Sequence, residues 1–230
     1  MSRRTEVTGG RTNQQEGLTA GRPLRRDAEQ NLARVVSAAR DVFAEHGYEA
    51  SMEQIALRAD VGIGTLYRRF PNKADLFAAV VDAATERTRM IADEVLAGVA
   101  PADAVFEFVR RCIAAPSCWR AMTSPRPWNE GREERALASL LPVIGQILTA
   151  SQRAGSARDD ISPTDVVVLL MSVRAVADLC DADAPGASLR FLDLALDGMR
   201  PSQTPPTHPP VTPKQLGRVL TTRQNPPASA

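Results

Sequence analysis

Charge of one sign is what this chain has little of: 28 Lys and Arg stand against 27 Asp and Glu, a net of +1. That balance excludes a global basic field as the means of finding a polyanion, so any electrostatic footprint has to be local. Cysteine is scarce too, with only Cys112, Cys118 and Cys180. The number is odd and no two form a close C-x-x-C pair, which argues against a disulfide framework and against a zinc site. Free, buried thiols are the plain reading. A redox-sensing pair of Cys112 with Cys118 is the sharper one, and mapping thiols after oxidation decides between them. The only histidines, His46 and His208, lie far from the cysteines in sequence. No metal and no cofactor are expected.

Long apolar runs are missing, so nothing spans a membrane. The amino-terminal MSRRTEVTGGRTNQQ lacks the apolar core of a secretory signal. A cytoplasmic protein with no membrane partner is the expectation. Signatures of catalysis are also wanting: there is no nucleophile elbow, P-loop or HExxH. Gly62-x-Gly64 lacks the third glycine of a dinucleotide fingerprint and follows a helix rather than a strand. The acid pair Asp159-Asp160 falls in a loop before a helix cap. The chain is expected not to be an enzyme.

What is present is helix. The 230 residues are 43% hydrophobic, enough for one or two domains with a sizeable core. The most informative stretch is SMEQIALRADVGIGTLYRRFPNK, residues 51–73. Ser51 and Gln54 form a capping box that opens a short helix. Met52, Ile55, Ala56 and Ala59 share one face of it. Asp60-Val61-Gly62 has the character of a sharp turn, with Gly62 free to take a positive φ. A second short helix follows, with Ile63, Leu66 and Phe70 facing inward and Gly64, Thr65 and Arg68 facing out. Pro71 ends it. Helices this short do not persist alone in water. Their platform is the preceding helix, striped by Leu32, Val35, Val36, Ala39, Val42 and Phe43 and closed at Gly47. A small, hydroxylated and cationic outer face suits phosphate oxygens and base edges. The pattern is a helix-turn-helix whose second helix enters the DNA major groove.

GIGTLYRRFPNKADLF resembles the recognition-helix signature of the tetracycline-repressor (TetR) family of bacterial transcriptional regulators. The similarity covers residues 30–81 well and continues loosely at GSARDDISPTDVVVLL and FLDLALDGMRP. It implies an all-α fold of about nine helices. The arrangement expected is an arginine-rich disordered arm (1–26), the DNA-binding head (27–75), a helical regulatory and dimerisation domain (76–200) and a disordered proline-rich tail (201–230). Deleting the arm is expected to weaken DNA binding and flatten its salt dependence.

The DNA reading assigns roles to eight residues. Gly62, Ile63 and Gly64 permit close approach to bases or sugar. Thr65 and Tyr67 bond phosphate or a base edge. Arg68 reads a base, guanine by preference. Ser51 and Lys73 hold phosphates, and the family resemblance implies the same for Lys73. A lysine at a helix start opposes the helix dipole, a cost that a nearby anion offsets. Two copies reading two half-sites imply a palindromic operator. The resemblance further implies a homodimer through the last two helices, with Val167, Leu170, Val173, Leu192 and Leu196 at the interface. It also implies a ligand pocket, for which Phe106, Phe108, Trp119, Met122 and Trp128 are the candidate lining. Few charges there would suit a small hydrophobic effector. Repression is the family default. The competing class is a helical adaptor that binds protein through the proline-rich tail, and a gel-shift titration on the gene's upstream DNA separates the two.

Overall fold

The computed structural model describes residues 21–115, 132–202 and 204–222. Nine α-helices and two short 3-10 turns make up the regular structure of these residues, and no strand occurs among them. The helices are α1 Gly21–His46, α2 Met52–Arg58, α3 Ile63–Arg69, α4 Lys73–Gly98, α5 Ala104–Ala114, α6 Arg132–Arg153, α7 Pro163–Cys180, α8 Ala187–Gly198 and α9 Pro213–Thr222. The chain divides into two units, Met1–Arg34 and Val35–Ala230. In the first, α1 begins at Gly21, six residues earlier than the sequence suggested. Pro23 sits in the first turn, where a helix tolerates it, and the run LRRDAEQ that follows is rich in good helix formers, so the helix starts early although no apolar stripe calls for it. Residues 1–20, most of the expected arm, lie outside the described part.

In the second unit the head is built as its caps dictate. Gly47 takes φ of 66° and ends α1 in a left-handed cap. At Ser51 the capping box is complete: the Gln54 amide donates to Ser51 Oγ at 3.2 Å and the Ser51 amide to Gln54 Oε1 at 2.8 Å. Val35, Ala39, Val42 and Phe43 of α1 are buried with Ile55 and Ala56 of α2, Leu66 of α3, and Leu76 and Phe77 of α4. Arg58 grips Glu45 through both guanidinium nitrogens, at 3.1 and 2.7 Å, and ties the end of α2 to α1. Asn72 caps α4 by accepting the Asp75 amide at 2.9 Å.

From Ile91 onward a second core takes over, and helices α4, α5 and α6 pack pairwise around it. Helix α6 runs through Pro142 without ending. Two serines sew loops to its carboxyl end. Ser151 Oγ accepts from the Val105 amide at 3.1 Å and donates to the Pro101 carbonyl at 2.8 Å. Ser156 Oγ donates to the Ala102 carbonyl at 2.6 Å. Helix α7 starts as its sequence demands, with the Ser162 amide donating to Asp165 at 2.7 Å and Pro163 in the first turn.

The tail departs from expectation. Disorder was expected throughout 201–230, yet residues 213–222 form α9, and the chain before it is tied to the domain at Thr204 and Val211. Arg158 donates to the Thr204 carbonyl at 2.9 Å, and Thr164 Oγ1 to the Val211 carbonyl at 2.6 Å. Thr212 and Gln215 form a reciprocal cap for α9. Leu216 is only 1% exposed and belongs to the main core. The prolines suppress helix up to residue 210, but Pro213 sits where a helix tolerates it, in the first turn. Removing residues 204–230 is expected to lower the melting temperature by several degrees, because truncating a buried leucine costs about 2–5 kcal/mol. An unchanged melting curve would contradict this account of the tail.

Candidate nucleic-acid interface

The turn between α2 and α3 sets the direction of α3, and its strained residue is not the one expected. Gly62 has φ of −65° and serves as the N-cap of α3, whereas Asp60 takes φ of 52°. Aspartate tolerates the left-handed region better than most residues because its short polar side chain bonds locally. The Val61 amide closes the turn on the Ala56 carbonyl at 3.0 Å.

Helix α3 is anchored on one side only. Leu66 is 1% exposed and Phe70 7%, and these two hold it against the head. Gly62, Gly64, Thr65, Tyr67, Arg68 and Arg69 all face solvent. Ile63, expected on the inward stripe, is 38% exposed and belongs to the outer face. Among the described residues neither Tyr67 nor Arg68 makes a hydrogen bond or ion pair, so a phenol and a guanidinium are open to an outside partner. A Cβ at Gly64 would meet nothing within 4 Å, and at Gly62 it would only touch Thr65 Oγ1 at 4.0 Å. The fold itself therefore has no steric need for glycine at either place. A small surface flanked by a hydroxyl, a phenol and two guanidinium groups is fit to meet a polyanionic backbone closely and to bond base edges.

The two expected phosphate holders differ. Ser51 Oγ accepts the Gln54 amide in the α2 cap, and among the described residues its hydroxyl hydrogen has no acceptor. Lys73 is half-buried and turned inward. Its Nζ donates to the Tyr48 carbonyl at 2.6 Å and to the Ala50 carbonyl at 3.3 Å, and lies 4.5 Å from the centre of the Tyr48 ring. Two carbonyl dipoles and an aromatic face thus offset the unfavourable helix start without any external anion.

The five residues expected at the dimer interface are placed elsewhere. Val167, Leu170, Val173, Leu192 and Leu196 are each at most 4% exposed and lie in the core of this one chain. They cannot also face a second copy. The exposed apolar side chains of α7 and α8 are others: Val168 at 36%, Leu179 at 80%, Leu189 at 57% and Leu194 at 62% exposure. The signal was present in the sequence: Val168, Ala175 and Leu179 are seven and four residues apart, a second stripe on α7. The turn joining the two helices is fixed by Asp181, which accepts from both the amide and the hydroxyl of Ser188. Those bonds, the hydroxyl's first, hold the Asp181 carboxyl below its usual range.

Of the expected pocket lining, Phe106 and Phe108 are buried in the main core, and the Arg200 guanidinium lies 4.8 Å over the Phe106 ring. Trp119, Met122 and Trp128, like Cys118, lie outside the described residues. A cleft of about 350 Å³ opens beside α4, lined by Asp82, Thr85, Glu86, Arg135, Ala136 and Ser139. It is charged and hydroxylated, unlike the apolar pocket the sequence suggested. Arg89 holds the Glu86 carboxyl below its usual range through two hydrogen bonds. Among the described residues no cluster of His, Cys, Asp and Glu could hold a metal ion. None of the described helices is long and apolar enough to cross a membrane.

Comparison with known proteins matches this geometry. Residues 35–80 match the model described as bacterial regulatory proteins, tetR family, and residues 100–201 the model of an SbtR-like transcriptional regulator C-terminal domain. A helix-turn-helix-type transcriptional regulator of Staphylococcus aureus is 42% identical over 59 residues, 25% of this chain. The match spans only 32% of that curated relative's length. A TetR transcription regulatory protein from Mycobacterium vanbaalenii is 34% identical, with a TM-score of 0.55 over 77% of this chain and 99% of its own. A TetR transcriptional regulator from Streptomyces coelicolor is 30% identical, with a TM-score of 0.54 over 74% of this chain and 99% of its own. The chain belongs to the TetR family of bacterial transcriptional regulators.

Proposed function

We propose that the protein represses transcription as a homodimer that places one α3 in each half of a palindromic operator and lets go when a small molecule binds. One observation carries the reading: the outer face of α3 is small, cationic and unpartnered, so its composition is explained by something outside the chain. Gly62, Ile63, Gly64 and Thr65 approach sugar and bases, Tyr67 and Ser51 bond phosphate, and Arg68 reads guanine. Replacing Arg68 by alanine removes one base contact per half-site, worth about 1–3 kcal/mol. Anisotropy titrations should then show affinity for the operator falling at least tenfold, with much less change on unrelated duplexes. An equal loss on all sequences would make Arg68 a phosphate ligand instead.

The dimer surface is the exposed face of α7 and α8, centred on Val168, Leu179 and Leu194. Val168 and Leu179 share one face of α7, and with Leu194 on the neighbouring α8 they offer exposed apolar surface of the kind that marks an interface. An isologous contact repeats it about a two-fold axis. Helix α4 connects head to regulatory domain without a break, so a ligand that shifts α4 shifts the spacing of the two heads. The cleft between α4 and α6 is where such a ligand acts. Its Asp82, Glu86 and Arg135 suit an effector bearing polar groups, a departure from the hydrophobic effector read from sequence. A hundredfold loss of operator affinity requires the effector to prefer the released state by about 2.7 kcal/mol.

A further inference from the structure

Helix α6 is one helix by its backbone and two by its fastenings. Pro142 stands inside it, exposed to solvent. Proline has no amide hydrogen, so the bond that residue 142 would make to the Ala138 carbonyl is missing, and a helix bends most easily at such a gap. The half after Pro142 is tied to its surroundings. The Pro163 ring lies 3.5 Å from where a Cβ on Gly145 would stand. Ser151 bonds the Val105 amide and the Pro101 carbonyl. Gln152 donates to the carbonyls of Arg158 and Ile161 at 3.1 and 3.2 Å. The half before Pro142 is held differently. Ala136, Leu137 and Leu140 are buried, but among the described residues the side chains of 135–141 make no hydrogen bond or ion pair to another element. Ser139 donates only to the Ala136 carbonyl of its own helix, at 2.8 Å. This untied half is the one that borders the cleft, through Arg135, Ala136 and Ser139. Across the cleft stand Asp82, Thr85 and Glu86 of α4, just past Leu76 and Phe77, which are buried in the head.

We propose that Pro142 is the hinge through which the cleft acts on the head: residues 132–141 swing against a fixed 143–153, and the swing displaces α4 where it leaves the head. This rests on the reading of the cleft as the effector site and of α3 as the DNA-contacting helix. A molecule that fills the cleft pushes the untied half, because the half beyond the proline is anchored to three loops. Coupling between two sites is reciprocal, so DNA that fixes the heads acts back on the same half of α6. The hinge is therefore visible without an effector.

The test is amide hydrogen exchange of the full-length protein, with and without a saturating duplex selected with the wild type. In the wild type the duplex is expected to change exchange in residues 132–141 by at least about threefold, and in residues 143–153 by much less. Pro142→Ala supplies the missing amide and a better helix former, so the variant is expected to melt at least as high. Its two halves should respond to the duplex alike, since the helix is then continuous. Halves that respond alike in the wild type, whether both change or neither does, overturn the proposal. A Pro142→Ala protein that keeps the wild-type split overturns it as well. Should that variant fail to fold, the wild-type comparison alone decides. The underlying reading fails in other places: no change at residues 82–86 on binding removes the cleft's link to the head, and no protection of residues 63–69 removes α3 from the DNA. A change at both with the halves of α6 alike removes the hinge alone.

Discussion

Replacing Gly64 by leucine is expected to leave the protein at least as stable as before while lowering its affinity for duplex DNA about a hundredfold or more. The two effects have opposite signs because they live in different places. Glycine inside a helix costs roughly 0.5–1 kcal/mol relative to alanine, and leucine is nearly as good a helix former. Gly64 lies in the first turn of α3, its backbone is not left-handed, and a side chain there meets no atom of the protein. The fold therefore gains by the change. Whatever approaches α3 loses: a leucine projects into the space beside Thr65 and Tyr67 that a groove wall must occupy. A hundredfold is about 2.7 kcal/mol, or roughly half of that from each of two heads. Melting curves and anisotropy titrations on the same preparation check both signs. Unchanged DNA affinity would mean that nothing comes close at Gly64, and a lower melting temperature would mean that the fold needs the glycine after all.

Two leucines of α8 only two positions apart are expected to fail in different ways. Leu192 is 4% exposed and packs in the core, while Leu194 is 62% exposed. Leu192→Glu forces a carboxylate into apolar surroundings and gives up the buried side chain. Losing the side chain alone costs about 2–5 kcal/mol, and burying an unpaired carboxylate adds to it. A domain with about 5–15 kcal/mol of total stability does not withstand that comfortably. Leu194→Glu places its charge where water already is, so one chain folds as before, but a second copy can no longer close over it. Sedimentation and melting distinguish the two. Leu192→Glu should unfold or melt far lower, and Leu194→Glu should stay folded and sediment as a monomer with weakened operator binding. A Leu194→Glu variant that remains a dimer would remove this face from the interface.

The contrast between these neighbours shows where sequence reasoning stops. Local chemistry was legible. The capping box at Ser51, the proline-started α7 and the left-handed glycine closing α1 each depend on residues within a few positions of one another. The small outer face of α3 was legible for the same reason. What required the third dimension was the choice between faces. Helix α7 is apolar on two sides, and no periodicity tells which side meets α8 and which meets solvent; Val167 and Val168 are equally apolar. Lys73 was read as awaiting a phosphate because its two carbonyl acceptors lie more than twenty residues away and carry no sequence signal. The turn before α3 offered two residues able to go left-handed, and the aspartate, not the glycine, took that conformation. Helix α9 was hidden by proline density, although Thr212-Pro213 followed by Gln215 is a helix start of the same kind as Ser51 and Gln54.

Selection of bound duplexes from a random DNA pool shows whether paired α3 helices read a two-fold site. The expected result is an enriched palindrome with half-sites about one helical turn or more apart, bound by two chains and lost in Arg68→Ala. An enriched site without two-fold symmetry, or no enrichment over the starting pool, would contradict it.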